Sequence, residues 1–184
     1  MKVAKQILIM ITLLFMGVAV SMATQAYASW SYPTIVNTDK KAFIVSMSLC
    51  VDSIYRQEPN HRHFPKELII AQAILESGYG TSRFAHEANN LFGIRTWNEQ
   101  TPHVKPVTHH NEWHGWGVKA YQTKCHSAFD LVRILNDLHF YEKLRDARDR
   151  GEDAHILVHY LESFSTNPAY GKLLESIIKN DLKS

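Results

Sequence analysis

Phe43, Met47, Cys50 and Ile54 recur three or four residues apart, which predicts a helix from about Lys40 to Arg56 with one apolar face. A polar stretch, Gln57 to His63, follows it. Pro65 then suits the first turn of a second helix, where a missing N–H is no loss; Glu67 lies in that turn, and Gly78 supplies the stop after Ser77. Between Asn90 and Thr123 the helical period vanishes, and prolines, glycines, tryptophans and a Val118/Ala120 alternation predict a small irregular β-hairpin lobe. Helical spacing resumes at Ala128, Leu131, Val132, Leu135 and Leu138, and again at Ala154, Leu157, Val158 and Leu161. A last helix, opened by Pro168, carries Tyr170, Leu173, Leu174, Ile177 and Ile178. Four or five helices around one core, interrupted once by a small sheet, make a mainly helical α+β domain at residues 40–184, preceded by a short loose arm at 29–39.

The first 28 residues follow another pattern. Lys2 and Lys5 give a positive start, Ile7 to Val20 is almost wholly apolar, and Ala26, Tyr27 and Ala28 form a small-residue cleavage site, so residues 1–28 read as an export signal cut after Ala28. The apolar run is shorter than the roughly 20 residues a membrane-spanning helix needs, which favours a cleaved leader over a retained anchor. The mature chain is then periplasmic or extracellular, without stable membrane insertion, and is expected as a monomer. From Ser29 onward it has the length of one ordinary domain.

Charge narrows the partners only by exclusion. The chain has 20 basic and 18 acidic residues, and two lysines leave with the leader, so the mature protein is balanced at eighteen of each and carries no basic block for nucleic acid. All 11 histidines lie in the mature part, which becomes markedly cationic as pH falls towards about 6. Cys50 and Cys125 are the two cysteines. Outside the cytoplasm they permit a single bridge, but Cys50 on the apolar face of a helix favours a buried free thiol over it.

Glu76 is the residue with chemical promise. It lies in the last turn of a helix that is otherwise apolar through Leu68, Ile69, Ala71, Ile74 and Leu75. An acid that protonates a glycosidic oxygen must stay protonated near neutrality, so its pKa has to rise about two units from roughly 4.3. The helix dipole contributes only about 0.3–1 kcal/mol, less than the roughly 1.36 kcal/mol that one unit requires, so desolvation must do most of it. Tyr79, Phe84 and Phe92 are candidates for the apolar wall.

The string Ala71-Gln72-Ala73-Ile74-Leu75-Glu76-Ser77-Gly78-Tyr79-Gly80-Thr81-Ser82, followed by Asn89-Asn90-Leu91-Phe92-Gly93-Ile94, resembles the signature of the glucosaminidase family of peptidoglycan hydrolases, glycoside hydrolase family 73, nearest its Bax-like branch. The usual family string has tryptophan where this chain has Tyr79. A third block, Thr166-Asn167-Pro168-Ala169-Tyr170-Gly171-Lys172, looks like the family's pattern near its C-terminus, so the resemblance spans roughly Pro65 to Leu182. It implies a lysozyme-like fold, Glu76 facing a substrate groove as proton donor, Tyr170 lining that groove, Asn90 close to it, and peptidoglycan glycan strands as partner, cut at N-acetylglucosaminyl linkages. On spacing alone Tyr170 shares the apolar face of the last helix, so a core role stands beside the catalytic one.

Hydrolysis also needs a group that activates water or steadies the oxocarbenium-like transition state. Glu112 and, after it, Glu99 are the lobe carboxylates that qualify; alternatively the substrate's own N-acetyl group attacks and Tyr170 orients it. Sugar faces stack on aromatic rings, so Tyr79, Phe92, Trp97, Trp113, Trp116 and Tyr121 are candidate substrate contacts, some of which simply fill the lobe. No cofactor is called for. His109, His110, Glu112 and His114 are crowded as zinc ligands are, but without paired histidines on a helix, so no metal is expected. A lytic transglycosylase shares the helix and glutamate, yet Leu91-Phe92-Gly93 replaces the Gly-Leu-Met-Gln turn it would carry; a non-catalytic wall-binding module would have no use for Glu76.

Overall fold

A computed structural model describes residues 31–106, 113, 115–161 and 163–182. The leader, Glu112 and the histidines 109, 110 and 114 lie outside the described residues. A folded unit begins at Tyr32. Its first residues run without regular structure, but they are pinned: Val36 N–H donates to Ser46 Oγ at 3.0 Å, Asn37 Nδ2 donates to Gly80 O at 3.0 Å, and Tyr32 packs edge-on against His126.

Helix α1, Lys40–Tyr55, starts where Asp39 Oδ1 accepts the Ala42 N–H at 2.8 Å, and buries Phe43, Met47, Cys50 and Ile54 on one side. A single 3-10 turn, Asn60–Arg62, carries the chain to α2, Lys66–Ser77. Pro65 takes the position just before this helix, one residue earlier than expected, a normal boundary difference. Helix α2 buries Leu68 through Ile74 without a break, so it is the central element and has no polar face over that run. Around it pack α1, α4 (Lys124–Asp137), α6 (Ala154–Leu157) and α7 (Tyr170–Asp181). Two short helices were not expected: α3, Arg83–Glu87, and α5, Glu142–Asp149, which buries only Leu144 and Ala147 among six charged residues. The Ala154 to Leu161 segment is α6 followed by a 3-10 turn, Val158–Tyr160.

The expected hairpin is a three-stranded antiparallel sheet, with β1 (Arg95–Thr96), β2 (His103–Val104) and β3 (Gly117–Lys119) in the order β1-β3-β2. Val118 pairs with both Arg95 and Val104, so the strand closest to the alternation seen in sequence is the middle one. Gly117 is there because a Cβ would meet the His103 ring at 2.5 Å.

Cys50 and Cys125 are bridged, with Cα atoms 5.8 Å apart, joining α1 to the start of α4. The preference for a free thiol is therefore corrected. Both sulfurs are fully buried, and a residue on an apolar helix face meets a cysteine as readily as a methyl group when the facing helix offers one.

Candidate active site

Immediately after Glu76 the chain reverses through three left-handed residues, Gly78 (φ 56°), Tyr79 (φ 60°) and Gly80 (φ 78°). Ser77 holds the turn: its hydroxyl donates to Ala73 O and accepts the Gly80 N–H at 2.8 Å. Gly80 is forced by more than its dihedral angle, since a Cβ would come within 2.9 Å of the Phe43 ring. This turn ends α2 sharply and leaves Glu76 half-buried at its tip.

Burial pushes the Glu76 carboxyl above the ordinary carboxylate range, and a hydrogen bond from the Tyr170 hydroxyl partly opposes the shift. Tyr170 opens α7 and is 4% exposed. Burial and the adjacent Glu76 charge hold its own proton firmly, so it stays a neutral donor. Its ring stacks on Phe164 at 5.8 Å, and its hydroxyl oxygen receives Gln72 Nε2 at 3.4 Å. The Tyr170 ring is thus packed in the core while its hydroxyl faces Glu76. Beside it opens a cavity of about 460 Å³ lined by Val158, His159, Ser165 to Pro168 and Lys172, so the Thr166–Lys172 block borders open space.

The other expected contacts are distributed differently. Asn90 is 1% exposed and fully committed: its amide donates to Ile94 O (2.9 Å) and Lys119 O (2.8 Å), while its oxygen accepts from Phe92 N (3.2 Å) and Ile94 N (3.1 Å). It ties the lobe to its entry loop, with its amide and its oxygen both spent on backbone partners. Phe92 is buried. The Tyr79 ring meets Phe43 edge-on and lies 4.8 Å from the Lys40 ammonium. Tyr121 donates to Asp130 Oδ2 at 2.7 Å, an oxygen that also receives Lys119 Nζ at 2.6 Å. Trp116 lies under the Arg95 guanidinium at 4.3 Å, and Trp113 packs on His103.

Trp97 is 72% exposed and flanks a cavity of about 610 Å³ whose walls include Ile94, Asn98, Lys119 and Asp130 but neither Glu76 nor Tyr170. Glu99 is exposed in the turn after β1. The structure therefore brings together Glu76 and Tyr170, and the cavity beside Trp97 is lined by neither. Gln72 is the participant that the sequence reading passed over. A polar side chain four residues before Glu76, on the same face of an apolar helix, was the available signal. No group of three or more His, Cys, Asp or Glu among the described residues is arranged to hold a metal, and no described helix is long and apolar enough to cross a membrane.

A half-buried carboxyl, hydrogen-bonded from one side by an un-ionised phenol, holds its proton above the ordinary carboxylate range and can release it to a basic oxygen placed against its free side.

The sequence profile of the family described as "Glucosaminidase: Mannosyl-glycoprotein endo-beta-N-acetylglucosaminidase" matches residues 52–183. Among curated proteins, the peptidoglycan hydrolase FlgJ of Escherichia coli K12 is 26% identical over 172 residues, covering 88% of this chain and 53% of FlgJ. The chain thus spans about half the length of the curated relatives it matches. Solved structures share its fold. The catalytic domain of the autolysin Auto from Listeria monocytogenes has a TM-score of 0.57 at 21% identity, covering 86% of this chain and 90% of that one. The glycoside hydrolase domain of Salmonella typhimurium FlgJ also has a TM-score of 0.57, at 24% identity, covering 77% and 87%. The fold is that of lysozyme-like glycoside hydrolase domains.

Proposed function

The chain belongs to the glucosaminidase family, and from that premise we propose that it is an exported peptidoglycan hydrolase that cleaves glycan strands at N-acetylglucosaminyl linkages with Glu76 as the proton donor. The observation that carries this is the half-buried Glu76 carboxyl, its pKa raised by burial, with the Tyr170 hydroxyl on it. Glu76 protonates the glycosidic oxygen as the C1–O bond breaks; water adds to the oxocarbenium-like carbon and gives up its proton. That proton goes to a lobe carboxylate, Glu112 before Glu99, or the substrate's N-acetyl group forms the first bond to C1 and water opens the ring it makes. In the second route Tyr170 orients the substrate. Neither route asks for a metal or cofactor.

Export rests on the leader pattern of residues 1–28, followed by the mature protein from Ser29, and it is supported by the Cys50–Cys125 bridge, a bond that persists in oxidising compartments. We assign residues 40–184 to the hydrolase domain, the mature protein to the periplasm or exterior as a monomer without membrane insertion, and Trp97, Trp116, Tyr79, Tyr121 and Phe92 to substrate contact or its support.

The test is digestion of purified peptidoglycan by wild type and by Glu76→Gln, nearly isosteric but without the acid. Wild type is expected to release fragments with reducing N-acetylglucosamine ends, and the variant to lose about 10³-fold or more in kcat. Anhydro-muramyl ends on mass spectrometry identify a transglycosylase instead, and an undiminished Glu76→Gln variant removes Glu76 from the chemistry.

A further inference from the structure

Gln72 and Ser77 are the two polar side chains that α2 buries. Ser77 is consumed by the turn it holds. Gln72 has no exposed surface, sits among Leu68, Ile69 and Ala73, and reaches across to α7, where its Nε2 donates to the Tyr170 hydroxyl oxygen at 3.4 Å. Its Oε1 has no hydrogen-bond partner among the described residues. Folding alone gives no reason for this arrangement, because leucine or methionine would fill the same space without an orphaned buried carbonyl.

The reason lies in the one hydrogen of the Tyr170 hydroxyl. That hydroxyl has two polar neighbours in contact, Gln72 and Glu76, with the Tyr141 phenol of the 3-10 turn His139–Tyr141 as the further ionisable group facing it. With Gln72 donating to the hydroxyl oxygen, the hydrogen is directed at Glu76. The carboxyl oxygen that receives it cannot also carry the acid proton pointing the same way, so that proton sits on the other oxygen. Were the hydroxyl turned round, its oxygen would accept the acid proton and hide it from a substrate.

We infer that Gln72 is a positioning residue: by donating to the Tyr170 oxygen it sets the direction of the Gln72–Tyr170–Glu76 chain and keeps the transferable proton on the Glu76 oxygen that Tyr170 leaves free. This rests on the reading of Glu76 as proton donor and adds a requirement to it.

The experiment is a double-mutant cycle of Gln72→Met and Tyr170→Phe, with kcat and KM measured across pH on a defined glycan. Gln72→Met is expected to lower kcat about 3- to 10-fold, the size of one buried hydrogen bond, with KM changed less than about 2-fold since Gln72 has no surface to offer a ligand. Its alkaline limb moves to higher pH, because a less well-directed phenol stabilises the Glu76 carboxylate less. In the Tyr170→Phe background the same substitution is expected to change kcat by less than about 2-fold, because the partner through which it acts is gone. An equal loss in both backgrounds, or a Gln72→Met enzyme with wild-type kcat and limb, overturns the inference. Should Gln72→Met not fold, the side-chain amide of Gln72 in labelled wild type serves instead. Its NMR shifts are expected to follow the Glu76 titration and to stop doing so in Tyr170→Phe; persistence there overturns the inference equally. Activity retained by Glu76→Gln would remove the proton-donor reading itself, whereas an inactive Glu76→Gln with an additive cycle removes the role of Gln72 alone.

Discussion

Burial strengthens the hold of Glu76 on its proton and the Tyr170 hydroxyl weakens it, with burial the larger influence. The folded state therefore binds the Glu76 proton more tightly than the unfolded chain does. Below the unfolded carboxylate pKa both states are protonated and nothing is lost; as pH rises towards the folded value the unfolded chain ionises first and stability falls. Glu76→Gln removes that penalty. It is expected to melt above wild type at pH 7–8, with the difference shrinking as pH approaches about 4, checked by thermal unfolding across that range. A difference that grows towards low pH contradicts the raised pKa. Glu76 was legible because it sits inside a string of known meaning. Gln72 and Asn90 were not, because an amide's role depends on which partners it spends its hydrogen bonds on, and one-dimensional spacing does not record them.

The lobe illustrates this at the next level. Its three strands contribute only two or three residues each, too few to hold together by their own ladder. Asn90 supplies what they lack, bridging the turn at Phe92 and Ile94 to Lys119 at the end of β3. Asn90→Ala leaves several buried backbone groups unpaired and is expected to cost about 2–3 kcal/mol, read from the denaturant midpoint. Amide exchange should quicken at Phe92 and Ile94 before it quickens in α2. Helices α1 and α7 could be read from their apolar periodicity because each buries one face, and α2 from the Pro65 and Gly78 signals at its two ends. Helix α5 escaped because two buried positions in eight residues make no period, and α3 because it is five residues long. The third strand, β2, was hidden for the reason that strand pairing is non-local: nothing near His103 announces Lys119 as its partner.

Across the molecule, the Cys50–Cys125 bond closes a separation of 75 residues and links the first and fourth helices around the central one. Restricting so long a loop is worth about 3–4 kcal/mol. The double variant Cys50→Ala/Cys125→Ala is expected to unfold at correspondingly lower denaturant, and wild type to match it under reducing conditions, measured by chemical denaturation with and without reductant. Equal stability of the two under oxidising conditions would show that the bond does not persist in the folded protein. The overall architecture was legible from the order of its helices and the break between them, whereas the bridge was not: two cysteines in sequence do not reveal whether their helices face each other.

Glu76 closes the second helix and Tyr170 opens the last, so the acid and its phenol meet only where α7 docks against α2. A chain in which α7 has not docked carries the glutamate but not the phenol beside it. On the proposed function, catalytic competence then reports on completed packing: the acid stays without its phenol until α7 has locked against α2.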